Sequence, residues 1–128
     1  MVVIPMLDSL ASVFKAMGDP TRLSILGLLR IRELCVCELV TLFDLSQPSV
    51  SQHLRRLKEA GLVSCRRRGT WVIYRLAEGL PPFVAAALDA LPPFPEWEER
   101  LRATDSETAC SRFADGKAAR ERMRTTGA

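Results

Sequence analysis

A chain of 128 residues holds one domain with a modest core, and its 48% hydrophobic and 26% charged residues exclude a fibrous or wholly disordered protein. The net charge of +3 is ordinary, but its distribution is not: between Leu45 and Leu76 seven basic residues stand against one acid, a local balance of +6 that leaves −3 for the rest. Such a concentration is the footprint of a face that binds a polyanion.

The first predicted helix runs from Leu7 to Met17, with Leu7, Leu10, Ala11 and Phe14 on one stripe, and Gly18 stops it. Asp19-Pro20 starts the next, because Asp19 can accept a free amide of the first turn and Pro20 gives up a donor that had no partner there. That helix, Pro20 to Arg30, aligns Leu23, Leu26 and Leu29 and widens its apolar face with Ile25 and Leu28, so burial on two sides is expected. Cys37 to Phe43 makes a short third helix. Asp44-Leu45-Ser46 is a connection ending in a capping serine, and a fourth helix follows to Ala60, where Gly61 ends it. Val50, Leu54 and Leu57 face inward there and leave the polar residues to the outer surface. Leu62 to Arg66 and Trp71 to Leu76 read as the arms of a β-hairpin turning at Arg67-Arg68-Gly69-Thr70. A last helix is expected over Leu80 to Leu91, ended by Pro92-Pro93, then a short amphipathic segment from Phe94 to Arg102 and a polar tail from Ser106 to Ala128.

Two short helices joined by a tight turn, the second polar and basic outside, form the helix-turn-helix pattern, and a hairpin with an arginine-rich tip directly after it is a wing. The fold expected is therefore mainly α with a small β-hairpin, a winged helix-turn-helix. On the fourth helix Gln47, Ser49, Ser51, Gln52, His53, Arg55 and Arg56 are the candidate DNA contacts, since Gln pairs with adenine and Arg with guanine in the major groove. On the wing, Arg66, Arg67, Arg68 and Thr70 suit phosphates or a narrow minor groove. His53 is the only histidine and is expected on the outer surface of the fourth helix.

Five stretches carry a family resemblance. Gly18-Asp19-Pro20-Thr21-Arg22-Leu23, Glu33-Leu34-Cys35-Val36-Cys37-Glu38-Leu39, Ser46-Gln47-Pro48-Ser49-Val50-Ser51-Gln52-His53-Leu54, Gly61-Leu62-Val63 and Gly69-Thr70-Trp71-Val72-Ile73-Tyr74 resemble the ArsR/SmtB family of metal-responsive winged-helix repressors, in its arsenical-responsive branch. The resemblance covers Leu7 to Leu91. It implies a homodimer joined through the first and last helices, an inverted-repeat operator in double-stranded DNA, and release of that DNA when a thiophilic ion binds. On that reading residues 1–91 form the DNA-binding and dimerisation domain, and 92–128 a carboxy-terminal extension carrying Cys110.

The amino terminus lacks a basic segment and carries Pro5 and Asp8, a poor signal peptide, and no apolar run approaches the roughly 18 residues of a membrane span. A cytoplasmic protein is expected, in which four cysteines are reduced and available to metals or redox chemistry. Trivalent arsenic and antimony are soft and take thiolate ligands, so one ion per subunit on Cys35 and Cys37 is the expected inducer, with no organic cofactor. The dipole of the third helix should favour the thiolates, and gathering two sulfurs that a regular helix points apart should unwind or tilt its start. Resembling repressors carry another cysteine three residues after the pair, where this chain has Val40. Cys110 is the first candidate for the third ligand and Cys65 the second, and a site completed by a methyl group, water or hydroxide is a third option.

Cadmium and lead sensors of this family add cysteines from an amino-terminal extension, and none lies before Phe14. Zinc sites on the last helix use His with carboxylates, and Asp89 stands there without a histidine. A thiol-disulfide switch on the same module is an alternative. An enzyme is not expected, because the single histidine lies on a polar helix face far from every thiol and no phosphate-binding loop is present.

Overall fold

The computed structural model describes residues 3–92 and 95–103. Helix α1 spans Val3–Met17 and ends where the Gly18 amide donates to the Lys15 carbonyl at 3.2 Å. Helix α2, Pro20–Leu29, begins as expected: the Asp19 carboxylate accepts the Arg22 amide at 3.0 Å, and Pro20 occupies the first turn. It buries Ile25, Leu26, Leu28 and Leu29, and so forms the centre of the core. Strand β1 is Leu34–Cys35, α3 is Val36–Phe43 and α4 is Gln47–Glu59. Asp44, at φ 52°, closes α3 in the left-handed conformation that Asp tolerates better than most side chains.

The wing is β2, Val63–Arg68, and β3, Trp71–Leu76, closed by the two residues Gly69 and Thr70. Gly69 takes φ 64° at the first turn position, which is open to glycine and strained for a side chain. The expected hairpin is present, and a third strand not foreseen in the sequence extends it to an antiparallel sheet in the order β1-β3-β2, with Leu34 paired to Tyr74 and Cys35 to Ile73. A strand of two residues leaves no periodicity to read. It forms because the outer edge of β3 offers backbone groups that need partners.

Helix α5 covers Pro82–Asp89 and α6 Pro95–Ala103. Leu101 of α6 is buried in the main core, and Trp97 sets its ring edge-on against Phe43 of α3 with centroids 4.1 Å apart. The α1 stripe behaves differently from an inward face. Phe14 stacks on Phe83 of α5 at 5.2 Å, yet Met6, Leu7, Leu10 and Phe14 are all exposed in the single chain, Phe14 by 61%. A contiguous apolar stripe of this kind marks an interaction surface. Among the described residues no helix is long and apolar enough to cross a membrane.

Candidate nucleic-acid interface and thiol site

Ser46 caps α4 by accepting the Ser49 amide at 3.3 Å, and Val50, Leu54 and Leu57 are wholly buried beneath it. That anchoring turns Gln47, Gln52, Arg55 and Arg56 outward and exposed, with Ser49 and Ser51 half-buried on the flanks. The Gln47 side-chain amide donates to Ser51 Oγ at 3.1 Å, which aligns the first turn of the polar face. His53 departs from the expectation of an outer position. It sits on the flank toward α2, half-buried, with Nδ1 3.3 Å from Arg22 Nη1 and 4.0 Å from Asp19 Oδ1. Three residues along from Val50, its side chain shares the edge of the inward face. Arg22 also donates through Nε to the Ala16 carbonyl at 2.7 Å and through Nη2 to that of Lys15 at 3.3 Å, so it ties the end of α1 to α4.

The register of the wing sorts its arginines. Arg66 and Arg68 lie across from Ile73 and Trp71 on one face, while Arg67 shares the other with Cys65 and Tyr74. Arg66 pairs with Glu33 at 2.8 Å and so is committed to the loop before β1, whereas Arg67, Arg68 and Thr70 are exposed at the tip. Cys65 is half-buried on the opposite face, where Lys58 Nζ donates to its sulfur at 3.2 Å. The sheet thus separates it from Cys35.

Cys35 has two structural roles, as the last residue of β1 and the N-cap of α3, in extended backbone at φ −87° and ψ 163°. Extended backbone places its sulfur on the same side as that of Cys37, 2.6 Å away, with both residues buried. The expectation that gathering the pair must unwind or tilt the start of α3 is therefore corrected: the sulfurs already converge, because one of them precedes the helix in extended backbone. Trp71 packs against both. Glu38, 2% exposed, accepts the Cys35 amide on Oε1 at 3.1 Å and the Arg32 guanidinium on Oε2 at 2.6 Å. With the Glu38 amide facing the Cys35 sulfur in return, this is a capping box with a cysteine where serine or threonine is usual.

The expected activation of the thiols is also corrected for Cys35. Burial pushes its thiol up to about 11, and the nearby Glu38 charge adds to this, against a lowering by the Glu38 amide. A helix terminus offers up to about 1 kcal/mol at an exposed site, and desolvation of a buried thiolate outweighs it. A cleft of about 160 Å³ opens beside Cys35 and Glu38, walled across by Arg68, Trp71 and Ile73. Among the described residues no group of three His, Cys, Asp or Glu side chains is arranged to hold a metal, and Cys110 lies outside those residues. Sequence reasoning missed Glu38, Arg32, Arg22 and Trp71. The Cys35-x-x-Glu38 spacing was the one available signal, since it copies a capping box.

A capped polar helix seated on a buried apolar stripe, followed by a basic wing, defines a winged helix-turn-helix regulator. Residues 19–64 match the family described as bacterial regulatory protein, arsR family. The chain is 47% identical over 78 residues to the arsenical resistance operon repressor of Escherichia coli, covering 60% of this chain and 67% of that one. It is 49% identical over 77 residues to an arsenic resistance transcriptional regulator of Pseudomonas putida, spanning 59% of this chain and 60% of that protein's length. Among solved structures it is similar to a homodimeric winged helix-turn-helix DNA-binding domain from Mycobacterium bovis, with a TM-score of 0.59 and 36% identity over 66% of this chain and 76% of that one. The chain belongs to the ArsR family and is an ArsR-type transcriptional repressor, not an enzyme.

Proposed function

We propose that this repressor acts in the cytoplasm as a homodimer, holds an inverted-repeat operator of an arsenical-resistance operon, and releases it when trivalent arsenic or antimony bonds Cys35, Cys37 and Cys110. The observation that carries the reading is the convergence of two buried sulfurs at the start of α3, the helix that packs on α4. Soft thiolates are the donors such ions select, and the pair is already gathered. Each thiol gives up its proton as it bonds, and the proton leaves with a hydroxide of arsenite as water, so no oxidant is required. Gln47, Gln52, Arg55 and Arg56 are the groups for base edges and the flanking phosphates, with Ser49 and Ser51 beside them. Arg67, Arg68 and Thr70 serve the backbone or minor groove, while His53 and Arg66 act indirectly through Arg22 and Glu33. The exposed α1 stripe supports dimerisation.

The path of α6 supports Cys110 over Cys65 as third ligand. Trp97 lies at the Phe43 end of α3, and Leu101 and Arg102 lie beside Ile31 and Arg32. Helix α6 therefore runs back toward the thiol end of α3. Cys110 follows Ala103 by seven residues, a reach of up to about 24 Å. Cys65 is occupied with Lys58 on the far face of the sheet.

Arsenic X-ray absorption of the arsenite-loaded protein tests this. Three sulfur neighbours falling to two in Cys110→Ser support the proposed site; no sulfur neighbours refute it. The close approach of the two sulfurs also favours a second reading, oxidation of the pair to a disulfide with a peroxide reduced to two waters. Peroxide-driven loss of DNA binding that a dithiol reverses, with no response to arsenite, would select it.

A further inference from the structure

The thiol pair is connected to the wing as well as to the recognition helix. Among the described residues Trp71 is the hydrophobic side chain packed on Cys35 and Cys37, and the three form a cluster apart from the main core. Trp71 opens β3 directly after the Gly69-Thr70 turn, opposite Arg68. Cys35 is itself hydrogen-bonded into the sheet as the partner of Ile73. Glu33, two residues earlier, holds Arg66 of β2. Four residues of the wing, Arg66, Arg68, Trp71 and Ile73, thus share one face over the sensor.

We propose that Trp71 is a positioning residue through which occupancy of the Cys35–Cys37 pair displaces the wing. An ion bonded to both sulfurs adds a large atom to a buried pair that Trp71 covers, so the cluster must expand. What yields depends on the stiffness of the surroundings. Helix α3 is anchored in the main core by Leu39 and Leu42, almost fully buried with Val50 and Leu54 of α4, and packed interiors resist displacement. Among the described residues, the wing side holds a half-buried ring, a strand of two residues and an exposed ion pair. The wing side is the softer one. Pushing Trp71 outward strains the Cys35–Ile73 pairing and tilts the hairpin tip that carries Arg67 and Arg68. The inducer then acts on the phosphate-binding arm directly, without first moving α4.

This inference rests on the proposed thiol site, and the experiment separates the two. Hydrogen–deuterium exchange is measured by mass spectrometry on the full reduced chain, free and loaded with arsenite or with phenylarsine oxide, which bridges close dithiols. The expected result is exchange about fivefold faster over residues 66–73, with α4 little changed. A change confined to α3 and α4 with the hairpin unaltered overturns the proposal. Binding of phenylarsine oxide without binding of arsenite defeats the arsenical reading alone, and the phenylarsine oxide exchange pattern then judges the wing route. In DNA-binding titrations with each protein saturated with arsenite, Trp71→Leu is expected to lose about tenfold of the arsenite-induced weakening. Release of DNA equal to that of wild type would overturn the role of Trp71. The exchange measurement needs no variant, so it stands even if Trp71→Leu does not fold.

Discussion

Replacing Arg67 and Arg68 by Gln removes two exposed charges from each wing tip, and a dimer presents two wings. If each of the four charges neutralises a phosphate, the slope of log K against log salt becomes shallower by about 3.6, at about 0.9 for each contact. Between about 50 and 200 mM salt that difference amounts to a factor of about 150 in relative affinity. Arg66 provides the internal control. Its guanidinium is 2.8 Å from Glu33, so Arg66→Gln should leave the slope within about one of wild type. Fluorescence anisotropy of a labelled operator duplex across that salt range measures all three proteins. A double variant with an unchanged slope, or Arg66→Gln with an equally large change, would refute the division of the wing arginines drawn from the Arg66–Glu33 pair.

Glu38→Gln should lower stability by about 1–2 kcal/mol, because the buried carboxylate loses its charge-assisted bond to Arg32 while Arg32, 38% exposed, can turn to water. A fall of about 0.5–1 M in the urea midpoint would show it. The Cys35 thiol, raised to about 11 by burial, should react with iodoacetamide at pH 7 about 20-fold more slowly than a free cysteine, the small thiolate fraction being partly offset by higher nucleophilicity. A rate equal to that of a free thiol would contradict the burial. Asp19→Ala should cost about 1 kcal/mol as a lost N-cap. The Arg22 amide holds the Asp19 carboxyl below its ordinary 3.8, so this contribution is present above that value and disappears as pH falls through the lowered one. Acid titration of wild type against Asp19→Asn isolates it. Finally, Leu10→Glu with Phe14→Glu should give a folded monomer in analytical ultracentrifugation, since both side chains are already exposed in the single chain; a stable dimer would place the interface elsewhere.

Much of this protein is written in signals a few residues long. Asp19-Pro20 and Ser46-Gln47-Pro48 start helices where they stand, because a cap and its amide lie three residues apart. The turn at Gly69 and the β-branched arms around it specify the hairpin, and the spacing of Val50, Leu54 and Leu57 decides which side of α4 faces outward. The thiol pair and the basic face were visible for the same reason, being local in sequence. Tertiary structure alone decided how those parts are joined. His53 turns to Arg22, 31 residues away, and Arg66 to Glu33, 33 residues away. Cys35 enters a strand because Ile73 offers an unpaired backbone edge, and its thiol is raised because Trp71 and the surrounding fold exclude water. Pairing and desolvation depend on which distant groups meet, and a single stretch of chain does not carry that information.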